Sequence, residues 1–153
     1  MFRPGGFAIL PLSDVDNGFL PNRSLTFWSY TDLQSPHLHL GNRYIFVDAA
    51  LQSGKLKVGW ANSDGWLGYA IDNTLFVKQA VYQSDADYPD WGCSAECFCN
   101  PLFLELETLA PTKLVEPAAS VTHREEWRLF SNLPLEKDEA IIEETVIPLL
   151  NLD

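Results

Sequence analysis

The chain has 153 residues, 10 Lys+Arg against 21 Asp+Glu, and a net charge of −11. That length fits one domain, and the 46% apolar and 20% charged fractions describe a globular protein rather than a disordered or fibrous one. The acidic balance lacks the clustered Lys/Arg that a nucleic-acid backbone or an anionic membrane surface requires, so neither is an expected partner.

Along the chain, Phe7 to Leu10 is a short apolar patch between Pro4 and Pro11. It is too brief for a signal h-region, and no small-residue cleavage site precedes Asp14 and Asp16. No segment approaches the roughly 18 consecutive apolar residues of a transmembrane helix. A cytoplasmic protein is expected. Runs favouring β-branched and aromatic residues then follow at Ser24–Tyr30, Asn42–Asp48, Lys55–Asn62, Trp66–Ile71, Thr74–Tyr82, Ser94–Cys99, Leu102–Thr108 and Val121–Leu129. Gly and Pro punctuate them, and short strands at this spacing predict an all-β, antiparallel sandwich rather than alternating βαβ units.

Asp64-Gly65 and Asp72-Asn73 read as tight turns, because Gly, Asn and Asp tolerate positive φ. They join three runs into a meander from Lys55 to Tyr82. Alternation assigns faces: Leu56, Val58 and Trp60 on one side of their strand, Lys55, Lys57 and Gly59 on the other. Leu104 and Leu106 likewise oppose Phe103, Glu105 and Glu107. The two carboxylates of that strand project side by side, with α-carbons about 7 Å apart. From about residue 135 to 147 the spacing of Ile141, Ile142, Thr145 and Val146 predicts a helix packed on a sheet face, after Pro134 and stopped by Pro148. A single domain, 1–153, is expected.

Cys93, Cys97 and Cys99 share a strand face with Ala95, without a second ligand pair. Small hydrophobes in a core explain them more simply than zinc does. His37 and His39 form at most half of a metal site, since no third ligand is evident. No phosphate loop, nucleophile elbow or H-E-x-x-H motif is present. Neither metal nor cofactor is expected. The segment Tyr88-Pro89-Asp90-Trp91-Gly92 is more suggestive, for it presents an aromatic ring and a carboxylate on one constrained loop. Sugars need flat aromatic faces beside hydrogen-bonding groups. Trp60, Trp66, Trp91 and Tyr88 are candidate faces, with Trp60 and Trp66 equally readable as core; Asn62, Asp90 and Asn100 are candidate hydrogen-bond partners.

The stretch from Tyr88 to Trp127 carries a resemblance. It contains Tyr-Pro-Asp-Trp-Gly-Cys, Glu96-Cys97-Phe98-Cys99-Asn100, Phe103-Leu104-Glu105-Leu106-Glu107-Thr108-Leu109-Ala110-Pro111 and Val121-Thr122-His123-Arg124-Glu125-Glu126-Trp127. Upstream, Trp28-Ser29-Tyr30-Thr31-Asp32-Leu33, Gly41-Asn42-Arg43-Tyr44, Gly65-Trp66 and Leu75-Phe76-Val77-Lys78 extend it. Together they resemble the C-terminal half of galactose mutarotase-like (aldose 1-epimerase-like) proteins, in a bacterial branch of that superfamily. The resemblance implies a supersandwich, or half of one, and a small-molecule sugar as ligand.

In that family a Glu in a Leu-Glu-Thr strand removes the anomeric proton, which implies Glu107 as general base and Glu105 as its rival. Glu96, on the segment similar to the family's Gln-containing strand, is implied as a sugar contact. Lys78, Tyr88, Asp90, Trp91 and His123 complete the implied substrate-binding set. The family's general acid is a His in an Asn-His-x-Tyr-Phe-Asn motif of the N-terminal half, and His37, His39 and His123 do not match that context. The resemblance therefore implies a chain lacking the N-terminal half, completed by another polypeptide or by a second copy in a homo-oligomer. Three functions are consistent with it: a sugar-binding module, an aldose 1-epimerase-type isomerase using Glu107, and a structural half-domain.

Overall fold

A computed structural model describes residues 1–150. The described residues form ten strands: β1 (Phe7–Pro11), β2 (Leu25–Phe27), β3 (Leu38–Leu40), β4 (Tyr44–Asp48), β5 (Leu56–Trp60), β6 (Trp66–Ile71), β7 (Thr74–Ala80), β8 (Ala95–Cys99), β9 (Leu104–Thr108) and β10 (Glu125–Ser131). They build two antiparallel sheets, one of six strands in the order β10-β7-β6-β1-β4-β3 and one of four in the order β2-β5-β8-β9.

The alternation predicted for β5, β8 and β9 sets the space between the sheets. Leu56, Val58 and Trp60, Ala95, Cys97 and Cys99, and Leu104 and Leu106 point inward. They meet Ala8, Leu10, Ile45, Val47, Leu67 and Tyr69 of the larger sheet. Each large apolar side chain so buried contributes roughly 1.5–3 kcal/mol. The fold is an all-β sandwich.

A second core lies on the other face of the six-stranded sheet. Ile9, Tyr44, Phe46, Trp66, Ala70, Leu75 and Val77 pack there against Ile142, Val146 and Leu150. The predicted helix is real but shorter and bent. It begins as α1 (Glu139–Thr145), capped by Asp138, whose carboxylate accepts from the N–H groups of Ala140 at 2.8 Å and Ile141 at 3.2 Å. A Ser/Thr/Asp/Asn cap defines a helix start better than the preceding proline does. Pro148 does not stop the structure; it is the second residue of α2 (Ile147–Leu150), where its missing N–H is not needed. Of the predicted apolar stripe, Ile142 and Val146 are fully buried, and Ile141 and Thr145 only partly.

β1 and β3 have no counterpart in the sequence expectation. Phe7–Pro11 is the central strand of the larger sheet, paired with β4 on one side and β6 on the other. Both of its faces are covered, so it is apolar throughout and shows no alternation. Pro11 lies beyond the pairing with β6, and its carbonyl accepts from Trp60 Nε1 at 2.9 Å. The Asp72-Asn73 turn joins β6 to β7 as predicted, with φ of 48° and 57°. The Asp64-Gly65 turn, with Gly65 at φ 71°, instead carries the chain from the four-stranded sheet to the six-stranded one. β5 therefore does not pair with β6, and the expected meander is only the β6–β7 hairpin. No helix among the described residues is long and apolar enough to cross a membrane.

Candidate functional site

Among the described residues the outer face of the four-stranded sheet is covered by no other sheet or long helix, and its polar groups converge in the middle. Register places Gly59, Glu96 and Glu107 in one row across β5, β8 and β9, and Lys57, Phe98 and Glu105 in the next. From its row Lys57 reaches diagonally to both carboxylates: Nζ lies 2.5 Å from Glu96 Oε2 and 3.0 Å from Glu107 Oε2. The Trp28 ring covers the same ammonium, with its centroid 4.8 Å from Nζ. Lys55 stands similarly over Tyr30, at 4.3 Å.

Local hydrogen bonding explains why Trp28 arrives there. Beyond β2, the Thr31 hydroxyl donates to the Lys57 carbonyl at 2.8 Å and accepts from the Lys57 N–H at 2.9 Å. That reciprocal pair pins the segment carrying Trp28 and Tyr30 alongside β5. Gly59 supplies the room. A Cβ there would come within 2.7 Å of Cys93 Sγ and 3.3 Å of both the Trp28 ring and Glu96 Cγ.

Glu96 is the unusual group. Its side chain is 2% exposed, one oxygen rests on Lys57, and Oε1 has no hydrogen-bond partner. Burial raises its carboxyl from 4.5 to about 7; the Lys57 hydrogen bond opposes the rise, and the neighbouring Asp90 and Glu107 carboxylates reinforce it. Burial also works against the Lys57 charge, but the hydrogen bonds to Glu96 and Glu107 outweigh it and hold the ammonium well above the usual lysine range. One carboxyl able to exchange a proton near neutrality thus lies beside an ion-paired, partly exposed one, an arrangement suited to acid–base work.

Asp90 and Trp91 border this cluster on a single turn, Pro89–Gly92. Both residues are left-handed, Asp90 at φ 48° and ψ 46°, Trp91 at φ 67° and ψ 33°. Left-handed backbone at two consecutive non-glycine residues costs energy, here offset by bonds around the turn. Cys93 N–H donates to the Pro89 carbonyl at 2.9 Å, and Cys93 Sγ donates to the Asp90 carbonyl at 3.0 Å. The result holds Trp91 95% exposed. Between this turn and residues 25–28 lies an open cleft of about 300 Å³, lined by Thr26, Trp28, Asp90 and Trp91 among others.

The sequence-predicted set is therefore divided. Glu96, Glu107, Asp90 and Trp91 are brought together. Glu105 shares their face but sits opposite Phe98, and no cation among the described residues pairs with it. Tyr88 stacks on Tyr82, centroids 5.4 Å apart, and its hydroxyl accepts from the Gln83 N–H. Lys78 and His123 belong to a second cluster, where β9 meets β7 and β10. There Lys78 Nζ lies 3.0 Å from Glu125 Oε1 and donates to the Leu106 carbonyl at 3.0 Å. His123 Nε2 is 2.8 Å from the Thr108 hydroxyl, which also donates to Glu125. Burial raises the Glu125 carboxyl, but its hydrogen bonds with Thr108, Lys78 and Trp127 prevail and leave it below the usual range. Two contacts of this cluster tie the sheets together, Lys78 to the Leu106 carbonyl and Thr108 to Glu125.

Among the remaining candidates, Trp60 and Trp66 are core. The Asn62 and Asn100 side chains are engaged within turns, Asn62 on Trp66 and Gly65, Asn100 on Leu102 and Phe103. Cys97 and Cys99 enter the core as expected, whereas Cys93, equally buried, departs from their face and sets its Sγ against Gly59 on the outer side of the sheet, where Trp28 also packs. His39 pairs with Asp48 at 2.9 Å, and no metal-binding group of His, Cys, Asp or Glu occurs among the described residues. Sequence reasoning missed Lys57 and Trp28. The signal for Lys57 was its outward position between Leu56 and Val58; its partners depend on the register of β5 against β8, which pattern alone does not reveal. No protein-family model, no curated protein and no solved structure matches the chain.

Proposed function

We infer that the chain binds a small carbohydrate on the outer face of the four-stranded sheet, in the cleft between Trp28 and the Asp90–Trp91 turn. The observation that carries this reading is the meeting of two partly or fully exposed indole rings with the Lys57–Glu96–Glu107 cluster. Indole faces suit the C–H surface of a pyranose, and carboxylates with an ammonium suit its hydroxyls. The resemblance of residues 25–150 to galactose mutarotase-like proteins points the same way, and three unpaired cysteines accord with a reducing, cytoplasmic setting. Calorimetric titration with neutral hexoses and uronic acids tests it. Binding that is lost in Trp28→Ala and Trp91→Ala is expected; absence of heat with every sugar overturns the reading.

A specific observation also favours turnover. Glu107 faces solvent beside a carboxyl raised to about 7, so one group can accept a proton while its neighbour holds one. In an aldose 1-epimerase-type reaction Glu107 would take the anomeric hydroxyl proton as the C1–O5 bond breaks, the ring oxygen taking a proton from solvent water. Polarimetry of freshly dissolved α-glucose and α-galactose distinguishes an isomerase from a binding module. Catalysed mutarotation that survives Glu107→Gln would remove Glu107 from that role.

A further inference from the structure

The strands that end the two sheets differ as templates for a partner. β2 and β3 are three residues long. β9 turns Glu105 and Glu107 outward and is bridged at Leu104 by Phe2. Such short, charged or covered edges resist pairing with another chain. β10 is the exception: it is seven residues long and, among the described residues, pairs only with β7.

The ladder tells which of its backbone groups are unused. Ala80 N–H donates to the Gly65 carbonyl, so the even-numbered residues of β7 bond toward β6 and the odd-numbered ones toward β10. Val77 is opposite Arg128 and Gln79 opposite Glu126. Glu126, Arg128 and Phe130 therefore bond to β7, while Glu125, Trp127, Leu129 and Ser131 turn their N–H and C=O groups to the open edge. On one face of the strand Trp127 and Leu129 are 63% and 68% exposed. On the other, Glu126 and Arg128 form a pair at 2.7 Å.

We propose that the chain forms a twofold dimer in which β10 pairs antiparallel with β10 of a second copy, centred on Trp127. Charge favours one register among those that pair the middle of the strand. Centring on Glu126 or on Arg128 sets like charges against each other on the axis. Centring on Trp127 places Glu126 opposite Arg128 of the second copy, twice, and closes a ring of alternating charges with the pairs already present within each chain. It also sets the two Trp127 rings against one another, each held from behind by Phe76 at 5.7 Å and Lys78 at 5.4 Å. A self-complementary patch of this kind is what an isologous contact requires.

Sedimentation equilibrium from low micromolar to millimolar concentration tests the proposal. The parent chain is expected to dimerise. Glu126→Arg and Arg128→Glu each set like charges opposite one another at both symmetry-related positions, and each weakens the dimer by about tenfold or more. Mixed in equal amounts, the two variants associate again, because every facing pair is then of opposite sign. A parent that stays monomeric throughout overturns the proposal, and so does a dimer indifferent to Glu126→Arg. Arg128 also donates to the Leu149 and Leu150 carbonyls, so circular dichroism accompanies its variant. A second probe does not depend on it: W127C puts a thiol on the twofold axis, and oxidation yields a disulfide-linked dimer while the three native cysteines are buried. A monomeric W127C chain after oxidation counts against the contact.

Discussion

Gly59 shapes the outer face of the four-stranded sheet by leaving space that Trp28, Cys93 and Glu96 jointly occupy. Gly59→Ala forces a methyl against Cys93 Sγ and is expected to destabilise the fold by about 1–3 kcal/mol, as overpacking does. Introducing Cys93→Ala alongside it should recover much of that loss, read as a midpoint in urea. If the two changes add instead, the crowding lies elsewhere. Glu96 carries a pH signature. Between 4.5 and about 7 the folded protein holds a proton that the unfolded chain releases, so this residue supports the fold at low pH and withdraws that support as pH rises through about 7. Glu96→Gln cannot ionise. Its melting temperature relative to the parent is expected to rise across that interval; a constant difference would mean an unshifted carboxyl. Burial also pushes the thiols of Cys93, Cys97 and Cys99 above the ordinary range. A thiol reagent should therefore titrate three groups in denaturant and almost none in the native protein.

Among the elements, α1 is the clearest case of one whose stability comes from packing. Seven residues cannot sustain a helix alone in water. Ile142→Ala removes a fully buried contact with the six-stranded sheet and is expected to cost about 2–5 kcal/mol in a denaturant titration. Asp138→Ala, which removes only the cap, should cost about 1 kcal/mol. The strands show where a sequence is legible and where it is not. β5, β8 and β9 each turn one face to the core and the other to the outer side of their sheet, so alternation revealed both strand and facing. β1 is buried on both faces, and a short apolar run between prolines carries no period. The site divides along the same line. The outward position of Glu107 beside Glu105 was legible from strand alternation, whereas Glu96 was singled out only through the family resemblance, and the cation they share required knowing that β5 lies beside β8. Lys78 and His123, expected at the sugar, belong to the clamp around Glu125 because the β7–β10 register sets Lys78 beside Glu125, and His123, expected within a strand from Val121, precedes β10 and meets Thr108 instead.

For the whole molecule, three layers follow from one sheet serving two cores. The six-stranded sheet packs the four-stranded sheet on one face and α1 with α2 on the other, so its middle strands, β6, β1 and β4, are the most enclosed part of the chain. The charge of −11 is distributed around this interior: some carboxylates gather near Lys57, while Glu139 and Glu143 fasten the helix to residues 43 and 44. The candidate sugar site and the β10 edge lie on different sheets, so losing one should leave the other measurable.

The central position of β1 has a consequence for how the protein is made. As the ribosome releases the chain, residues 7–11 emerge well before β4, and before β6 by the length of some sixty residues' synthesis, at roughly 5–20 residues per second. During those seconds an apolar strand with two unsatisfied edges waits for both partners. β6 and β7, joined by two residues, can close as a hairpin without it. The sheet is thus completed when β1 is captured between two strands made later, and the interval before that capture is one in which the newborn chain is exposed to aggregation.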